Sequence, residues 1–402
     1  MKKIILSAFI AAGLVGRLCA AAAEDSKIFT PFFDMTLSEA AFLPSVGNIF
    51  SGGNINTQVG LLAKATQKDH IFGLYNFNYN GPGFAPQDSR QFTDRSMSHG
   101  FNIEYRRAIT DRLRLRPGLS RNWEFRRTGA NEVWKNGLYN MNSTGGQLAA
   151  DYTFDEEKNG YVTVQYLFRS VAFPNYTDLL SEFRNPDPAN RASVNGGLQD
   201  QTMGQLSLRP SWNKFFAGLT YTVQNYKNQK VVANTGVYNS TKQRDSDTAL
   251  DFGFQQSLWI FELSPMVSYT MHSSNQNFML YKSLGDTSPQ FGAKYYDFNE
   301  LTLSVPLDLN ITGKWAIGGA INLTRRAYAK RTARDADNNF TAAKQVNTMS
   351  TLTGSIRKRL NEVAMVRLFA SVMAASSNNK FEKYMPYNYT GNTFGIAYQL
   401  SY

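Results

Sequence analysis

The feature that most constrains the fold is a unit that repeats from about residue 54 to the C-terminus. Each unit has an alternating apolar and polar segment of about ten residues, a short polar turn, a second such segment and a long polar loop. In one segment the apolar residues Leu301, Leu303 and Val305 alternate with Glu300, Thr302 and Ser304. A soluble β-sandwich would place long loops at both ends. Strict alternation of short turns and long loops instead predicts a transmembrane barrel with short periplasmic turns and long extracellular loops.

The number of strands follows from a count of these segments. About fifteen lie between residues 54 and 402, and the first of them ends in a short turn. If both chain ends are periplasmic, an earlier segment must carry the chain outward. The only candidate is residues 27–44, which could form a first strand or a plug inside the lumen. We predict an all-β fold: an antiparallel up-and-down transmembrane barrel over residues 54–402, with about 16 strands, although 14 also fit the pattern. Residues 24–53 are then an N-terminal segment, either first strand or lumenal plug.

The N-terminus has the pattern of a secretory signal peptide over residues 1–23. Lys2 and Lys3 precede an apolar stretch at residues 4–15, and a small-residue tract follows at residues 19–23. Cys19 could instead carry a lipid, but Arg17 stands where a lipoprotein signal has small residues. Cys19 is the only cysteine, so a chain cleaved after residues 20–23 has no thiol for a disulfide or a metal site.

The balance of charge limits the partners. The formal net charge is +11, and removal of Lys2, Lys3 and Arg17 with the signal leaves 11 − 3 = +8. A basic exported chain favours anionic solutes and lipopolysaccharide over nucleic acid. The three histidines are far apart in sequence and no HExxH motif occurs. We therefore predict no catalytic site, no metal and no cofactor, and no nucleic-acid partner.

The last ten residues carry a family resemblance. A polar residue at Thr393 is followed by Gly395, then by hydrophobic Tyr398 and Leu400 and the terminal aromatic Tyr402. This pattern resembles the C-terminal assembly signal of Gram-negative outer-membrane β-barrel proteins, although a terminal Phe is commoner. The resemblance implies the outer membrane as location, and lipid, lipopolysaccharide and the barrel-assembly machinery as partners. A porin-like homotrimer is left open.

If the apolar side chains face lipid, the alternate positions line the interior. Eleven basic and seven acidic residues then point inward, which favours an anion-preferring passage. The arginines expected to line the pore are Arg106, Arg114, Arg116, Arg126, Arg169, Arg209, Arg357, Arg359 and Arg367. Most lie near short turns and would form a basic ring at the periplasmic mouth. A simpler interpretation is that they pair with turn carboxylates such as Asp111 and Glu362, or face solvent.

The longest loop, residues 174–200, contains a helix-like segment with two carboxylates. By similarity to general-diffusion porins, Asp178 and Glu182 could fold inward against Arg126 or Arg169 and constrict the pore. The leading prediction is thus a passive, porin-like channel for small hydrophilic solutes. One alternative is a transporter of hydrophobic compounds that resembles fatty-acid channels and has an N-terminal plug. Another is a non-conducting surface barrel whose loops bind external ligands.

Overall fold

The computed structural model describes residues 28–47, 49–81, 94–128, 132–177, 196–281, 288–382 and 386–402. Within these ranges the chain is almost entirely β-structure, with one short 3-10 turn at Trp134–Asn136. The strands are β1 Phe29–Pro44, β2 Phe50–Lys64, β3 Asp69–Gly81, β4 Arg95–Ala108, β5 Leu113–Arg127, β6 Met141–Asp155, β7 Gly160–Ala172, β8 Gln201–Trp212, β9 Phe215–Val232, β10 Tyr238–Phe254, β11 Gln256–Leu258, β12 Phe261–Leu263, β13 Met266–Ser274, β14 Phe278–Leu280, β15 Gln290–Gly292, β16 Phe298–Asn310, β17 Trp315–Arg334, β18 Phe340–Arg359, β19 Ala364–Ser377 and β20 Tyr389–Ser401. No helix of this described part is long and apolar enough to cross a membrane.

The sheet closes on itself as a barrel of 16 strands. The short strands β11 and β12 extend β10 and β13 toward a turn at Trp259 and Ile260, and β14 pairs with β15 outside the wall. Every neighbouring pair in the wall is antiparallel. The last strand, β20, pairs with β1 from Asp34↔Ser401 to Pro44↔Gly391. Closure leaves no unpaired edge, which is the condition for a sheet to stand in lipid. The predicted all-β barrel is confirmed, with the higher of the two predicted strand numbers.

The N-terminal segment belongs to the wall. β1 pairs with β2 over Phe29↔Ala63 to Phe42↔Phe50, as well as with β20. Of the two alternatives that the sequence left open for residues 24–53, the described part of this segment has the strand, and the barrel begins at Phe29 rather than at residue 54. β1 and β20 therefore start and end on the side of the short turns. The signal-peptide prediction, residues 1–23, lies outside the described residues.

The short turns share a local device. Thr66, Thr110 and Thr312 each stand first in a turn, and the side-chain oxygen accepts backbone N–H groups two and three residues later. For Thr110 the donors are Arg112 and Leu113, at 3.2 and 3.0 Å. Such a side chain replaces the missing ladder partner of the turn backbone and favours a tight reversal. These three side chains thus stabilise short connections at this end of the barrel.

The two faces of the wall differ in chemistry. Residues two apart share a face, and directly paired residues of antiparallel strands do so as well. One face carries large apolar side chains that are half exposed, among them Leu119 (72%), Leu352 (58%) and Ile396 (49%). Such a continuous apolar surface on a closed barrel is unstable in water and is the surface that contacts lipid. The opposite face is therefore the lumenal face.

Candidate functional site

The lumenal face carries all the basic residues that the sequence places there. The pairing register puts Arg106, Arg114 and Arg116 on the face of Gly118 and Gln147. Across the sheet, the same reading places the rest on the inward side: Lys64, Arg126, Arg169, Arg209, Arg326, Arg357, Arg359 and Arg367. The sequence does not show which of these side chains pair with carboxylates. In the structure some of them form ion pairs and others do not.

The first group is an ion-pair network on β4 to β7 near the short turns. Glu104 accepts hydrogen bonds from Arg106 Nε at 2.6 Å, from Arg116 Nη1 at 3.1 Å and from Gln147 Nε2 at 3.0 Å. Arg116 also donates to both oxygens of Asp151, at 2.6 and 2.9 Å. The Glu104 side chain is only 9% exposed, so its charge depends on these donors. The two guanidinium groups are largely neutralised by their partners.

A second, smaller contact lies on the opposite wall. Arg357 Nη2 approaches Asp308 Oδ1 at 2.5 Å, and Arg357 stands directly opposite Arg367 on the neighbouring strand. The Arg367 guanidinium lies 5.1 Å from the centre of the Phe369 ring, a cation–π contact. Two like charges face each other here, and the one carboxylate, Asp308, pairs with Arg357 and not with Arg367.

The other turn-end arginines have no such compensation. Among the described residues, no ion pair within 4.0 Å joins a carboxylate to Arg114, Arg209, Arg359 or Arg367. We call these four the free turn-end arginines. The simpler interpretation offered pairing with Asp111 and Glu362 or exposure to solvent; no pair with these two carboxylates is observed among the described residues, and all four arginines are exposed. The carboxylates that do pair are inward-facing residues of the strands, namely Glu104, Asp151 and Asp308.

Farther from the short turns, two more arginines are paired. Arg126 contacts Glu124 at 2.6 Å, and Arg326 contacts Glu300 at 2.7 Å while it lies 4.2 Å from the centre of the Phe298 ring. Arg169 has a buried Nε that bonds to no other described group. The predicted constriction-loop carboxylates, Asp178 and Glu182, lie outside the described residues. The predicted contact with Arg126 or Arg169 therefore stays a prediction.

Three inward carboxylates were missed by the sequence analysis. Asp34 accepts hydrogen bonds from Gln399 and Ser401, and so ties β1 to β20. Asp245 and Asp247 lie on β10, facing Ser274 and His272. With these three, the seven predicted inward carboxylates become ten, against eleven basic residues. For this set of residues the excess of four basic groups expected from the sequence therefore falls to one.

The histidines take separate places. His99 faces lipid between aromatic rings, with its Nδ1 2.8 Å from the Tyr75 hydroxyl. His272 faces the lumen, where its Nδ1 lies 2.7 Å from Asp247 Oδ1 and its ring stacks on Phe298.

The residues of the C-terminal assembly signal have distinct structural roles. Tyr398 and Leu400 stand on the lipid face with Ile396. Gly395 lies on the lumenal face, where an added Cβ would come within 2.2 Å of the Phe369 ring and 2.8 Å of a backbone oxygen of β1. Only glycine fits this position without displacing the ring. Tyr402 donates its N–H to the Phe33 carbonyl at 2.8 Å, which holds the chain end at the closure seam.

A closed antiparallel barrel of 16 strands with a lipid-facing apolar surface and a polar interior defines an outer-membrane β-barrel protein, and the chain is located in the outer membrane. No family model and no curated protein matches the chain.

Solved structures do resemble it in fold. OmpT of Vibrio cholerae in its trimer form is 12% identical over 94% of this chain and 100% of its own, with a TM-score of 0.47. OpdK of Pseudomonas aeruginosa is 8% identical over 93% and 99%, with a TM-score of 0.42. The CymD monoaromatic hydrocarbon channel is 8% identical over 92% and 88%, with a TM-score of 0.37.

Proposed function

We propose that this protein is a passive, non-enzymatic channel for small hydrophilic solutes, with a weak preference for anions. The supporting observation is the group of free turn-end arginines, Arg114, Arg209, Arg359 and Arg367, which lie on the lumenal face near the short turns with no ion-pair partner among the described residues. Uncompensated guanidinium groups at one end of a pore raise the local concentration of anions and lower that of cations. Arginines that already pair with carboxylates contribute much less to this field.

Planar-bilayer recording tests the proposal. The folded protein should give stable ohmic steps, and a KCl gradient should give a reversal potential that favours chloride. The variant Arg114→Ser/Arg359→Ser should shift that potential toward potassium. A matched control replaces two outward-facing arginines, Arg121→Ser/Arg325→Ser, which carry the same charge on the lipid side of the wall. The control should keep the wild-type reversal potential.

Each contrary outcome has a definite meaning. Well-folded protein without conductance would contradict the channel and favour a surface barrel whose loops bind ligands. Uptake of hydrophobic compounds without ionic conductance would favour the hydrophobic-compound transporter. Equal shifts in both double variants would remove the free turn-end arginines as the origin of selectivity.

Two predicted partners are also part of the proposal. The barrel-assembly machinery would recognise the C-terminal signal Gly395, Tyr398, Leu400 and Tyr402, as the resemblance implies. A homotrimer would appear in the same recordings as insertion in groups of three equal steps. Lipopolysaccharide would contact the outer rim, where the outward-facing Arg121 and Arg325 are exposed.

A further inference from the structure

The long-loop end of the lumen has a cavity of about 760 Å³ that has no part in the arginine cluster. Its wall is built by the long-loop ends of β9, β10 and β13, by the loops that follow β9 and β13, and by Tyr176 and Gln199 from the connection between β7 and β8. Asp245 and His272 lie on the lumenal face of their strands, so the floor of the cavity is part of the inner wall. Its size falls in the range of small-molecule sites.

Amide side chains dominate the polar part of this wall, and they are held in place. Gln276 donates from Nε2 to the Lys230 carbonyl and to Gln243 Oε1, both at 3.0 Å. Gln199 Nε2 donates to Gln229 Oε1 at 3.3 Å. Gln229 and Gln276 are 7% and 6% exposed. Each glutamine has two donors and two acceptor positions, so Gln199 keeps donor and acceptor capacity for a ligand after these bonds.

The two ionisable acid and base groups of the cavity lining, Asp245 and His272, are already hydrogen-bonded within the protein. Its one lining carboxylate, Asp245, is 6% exposed and accepts from Gln243 Nε2 at 2.9 and 3.2 Å. Its one imidazole, His272, is bonded to Asp247 at 2.7 Å. A free carboxylate for an organic cation, or a free guanidinium for an anion, is absent from the described lining residues. This separates the cavity from the charged wall near the short turns.

Aromatic rings supply the rest of the surface. Tyr176, Tyr238, Tyr281 and Tyr296 line the cavity together with Phe278. Gly236, with a φ of +83°, allows the loop after β9 to approach closely, since a Cβ there would lie 2.5 Å from the Tyr281 hydroxyl oxygen. Flat rings beside fixed amides combine an apolar contact surface with hydrogen-bond groups of both kinds.

We propose that this cavity binds a neutral saccharide, whose hydroxyls match the amides and whose ring C–H faces match the tyrosines. The inference adds neutral saccharides to the solutes of the channel proposed above. Their passage through the barrel rests on that proposed function. Binding itself does not depend on conduction, so the two can fail separately.

Isothermal titration calorimetry on the folded full-length barrel tests the inference. The micelles should be of a detergent without a sugar headgroup. The probes are maltotriose as the neutral saccharide, choline as the cation and gluconate as the hydroxylated anion. Maltotriose should bind more tightly than either charged probe. Tyr238→Ala should weaken maltotriose binding by about tenfold, and Gln199→Leu should weaken it in the same direction.

The matched control is Tyr161→Ala. Tyr161 is an inward-facing tyrosine at the short-turn end, 44% exposed compared with 47% for Tyr238, and its removal should leave maltotriose binding unchanged. Absence of maltotriose binding to folded protein would overturn the inference, and so would tighter binding of choline or gluconate. An equal loss in Tyr161→Ala would place the site elsewhere. Conductance without maltotriose binding would support the proposed channel and refute the saccharide site. Maltotriose binding without conductance would support the saccharide site and refute the channel.

Discussion

Glu104 offers a sharp test of how charge is stored in the lumenal wall. Its carboxylate accepts from two guanidinium groups and one amide, at 2.6, 3.1 and 3.0 Å, and its side chain is 9% exposed. The substitution Glu104→Gln keeps the shape and removes the charge. Arg106 then loses its only carboxylate partner among the described residues, and Arg116 retains Asp151 alone.

The magnitude follows from the number of contacts. A hydrogen bond to a charged group contributes about 1.5–3 kcal/mol when it is shielded from water, and a water-filled lumen reduces that contribution. With two charged donors on Glu104, we expect Glu104→Gln to lower the free energy of unfolding by about 3 kcal/mol. Glu124 is the matched control, because it also pairs at 2.6 Å with the arginine two residues later on its own strand. It has one charged partner and is 26% exposed, so Glu124→Gln should cost about 0.5 kcal/mol.

Urea unfolding of the barrel in lipid vesicles, followed by tryptophan fluorescence, measures both values. The difference between the two variants should be about 2.5 kcal/mol. Equal destabilisation by Glu104→Gln and Glu124→Gln would refute the reasoning, because it would mean that burial and partner number do not determine the strength of these pairs.

Three further outcomes are expected. Leu352→Arg, in the middle of the lipid-facing surface, should destabilise the barrel by about 2–4 kcal/mol, whereas Thr353→Arg on the lumenal face should cost much less in the same urea assay. Gly395→Val should slow refolding into vesicles, because its side chain would occupy the place of the Phe369 ring. The measurement is the rate at which the folded, heat-modifiable band appears on gels. Hydrogen bonds from the Asn388 side chain and the neighbouring backbone hold the pKa of Glu382 below its usual value. Its contribution to loop order is therefore full above the carboxyl's ordinary pKa and is lost as the pH falls through the lowered one. Hydrogen exchange of this loop should show that acid dependence in the wild type and lose it in Glu382→Gln.

The alternation in the sequence predicts the faces of the wall well, for a physical reason. Where one face of a strand contacts lipid, that face must be apolar, so the period of two is visible and the inward arginines can be read from it. All the basic residues assigned inward lie on the lumenal face. The closing strand at Phe29–Pro44 was harder to recognise, because Glu39 interrupts the alternation on its lipid-facing side.

The pattern fails where the strands leave the membrane. β9 and β10 extend to Val232 and back from Tyr238, beyond the length of about ten residues expected for each strand. Outside the hydrocarbon layer both faces of a strand are solvated, so nothing enforces alternation. Asp245 and Asp247 were missed for this reason, and so was the cavity beside them. Ion-pair partners were also out of reach, because the register between strands decides which inward side chains meet.

The near balance of charge changes what determines selectivity. With eleven basic and ten acidic residues on the lumenal face, the sum of charges gives almost no preference. Arg106 and Arg116 are screened by Glu104 and Asp151, whereas Arg114 stands one step nearer the turn without an ion pair of its own. A permeating anion would therefore respond to the unscreened groups and not to the total. Removing one screening carboxylate should accordingly increase the preference for anions by as much as removing one free arginine decreases it, because both change the uncompensated charge at the same end of the pore by one unit.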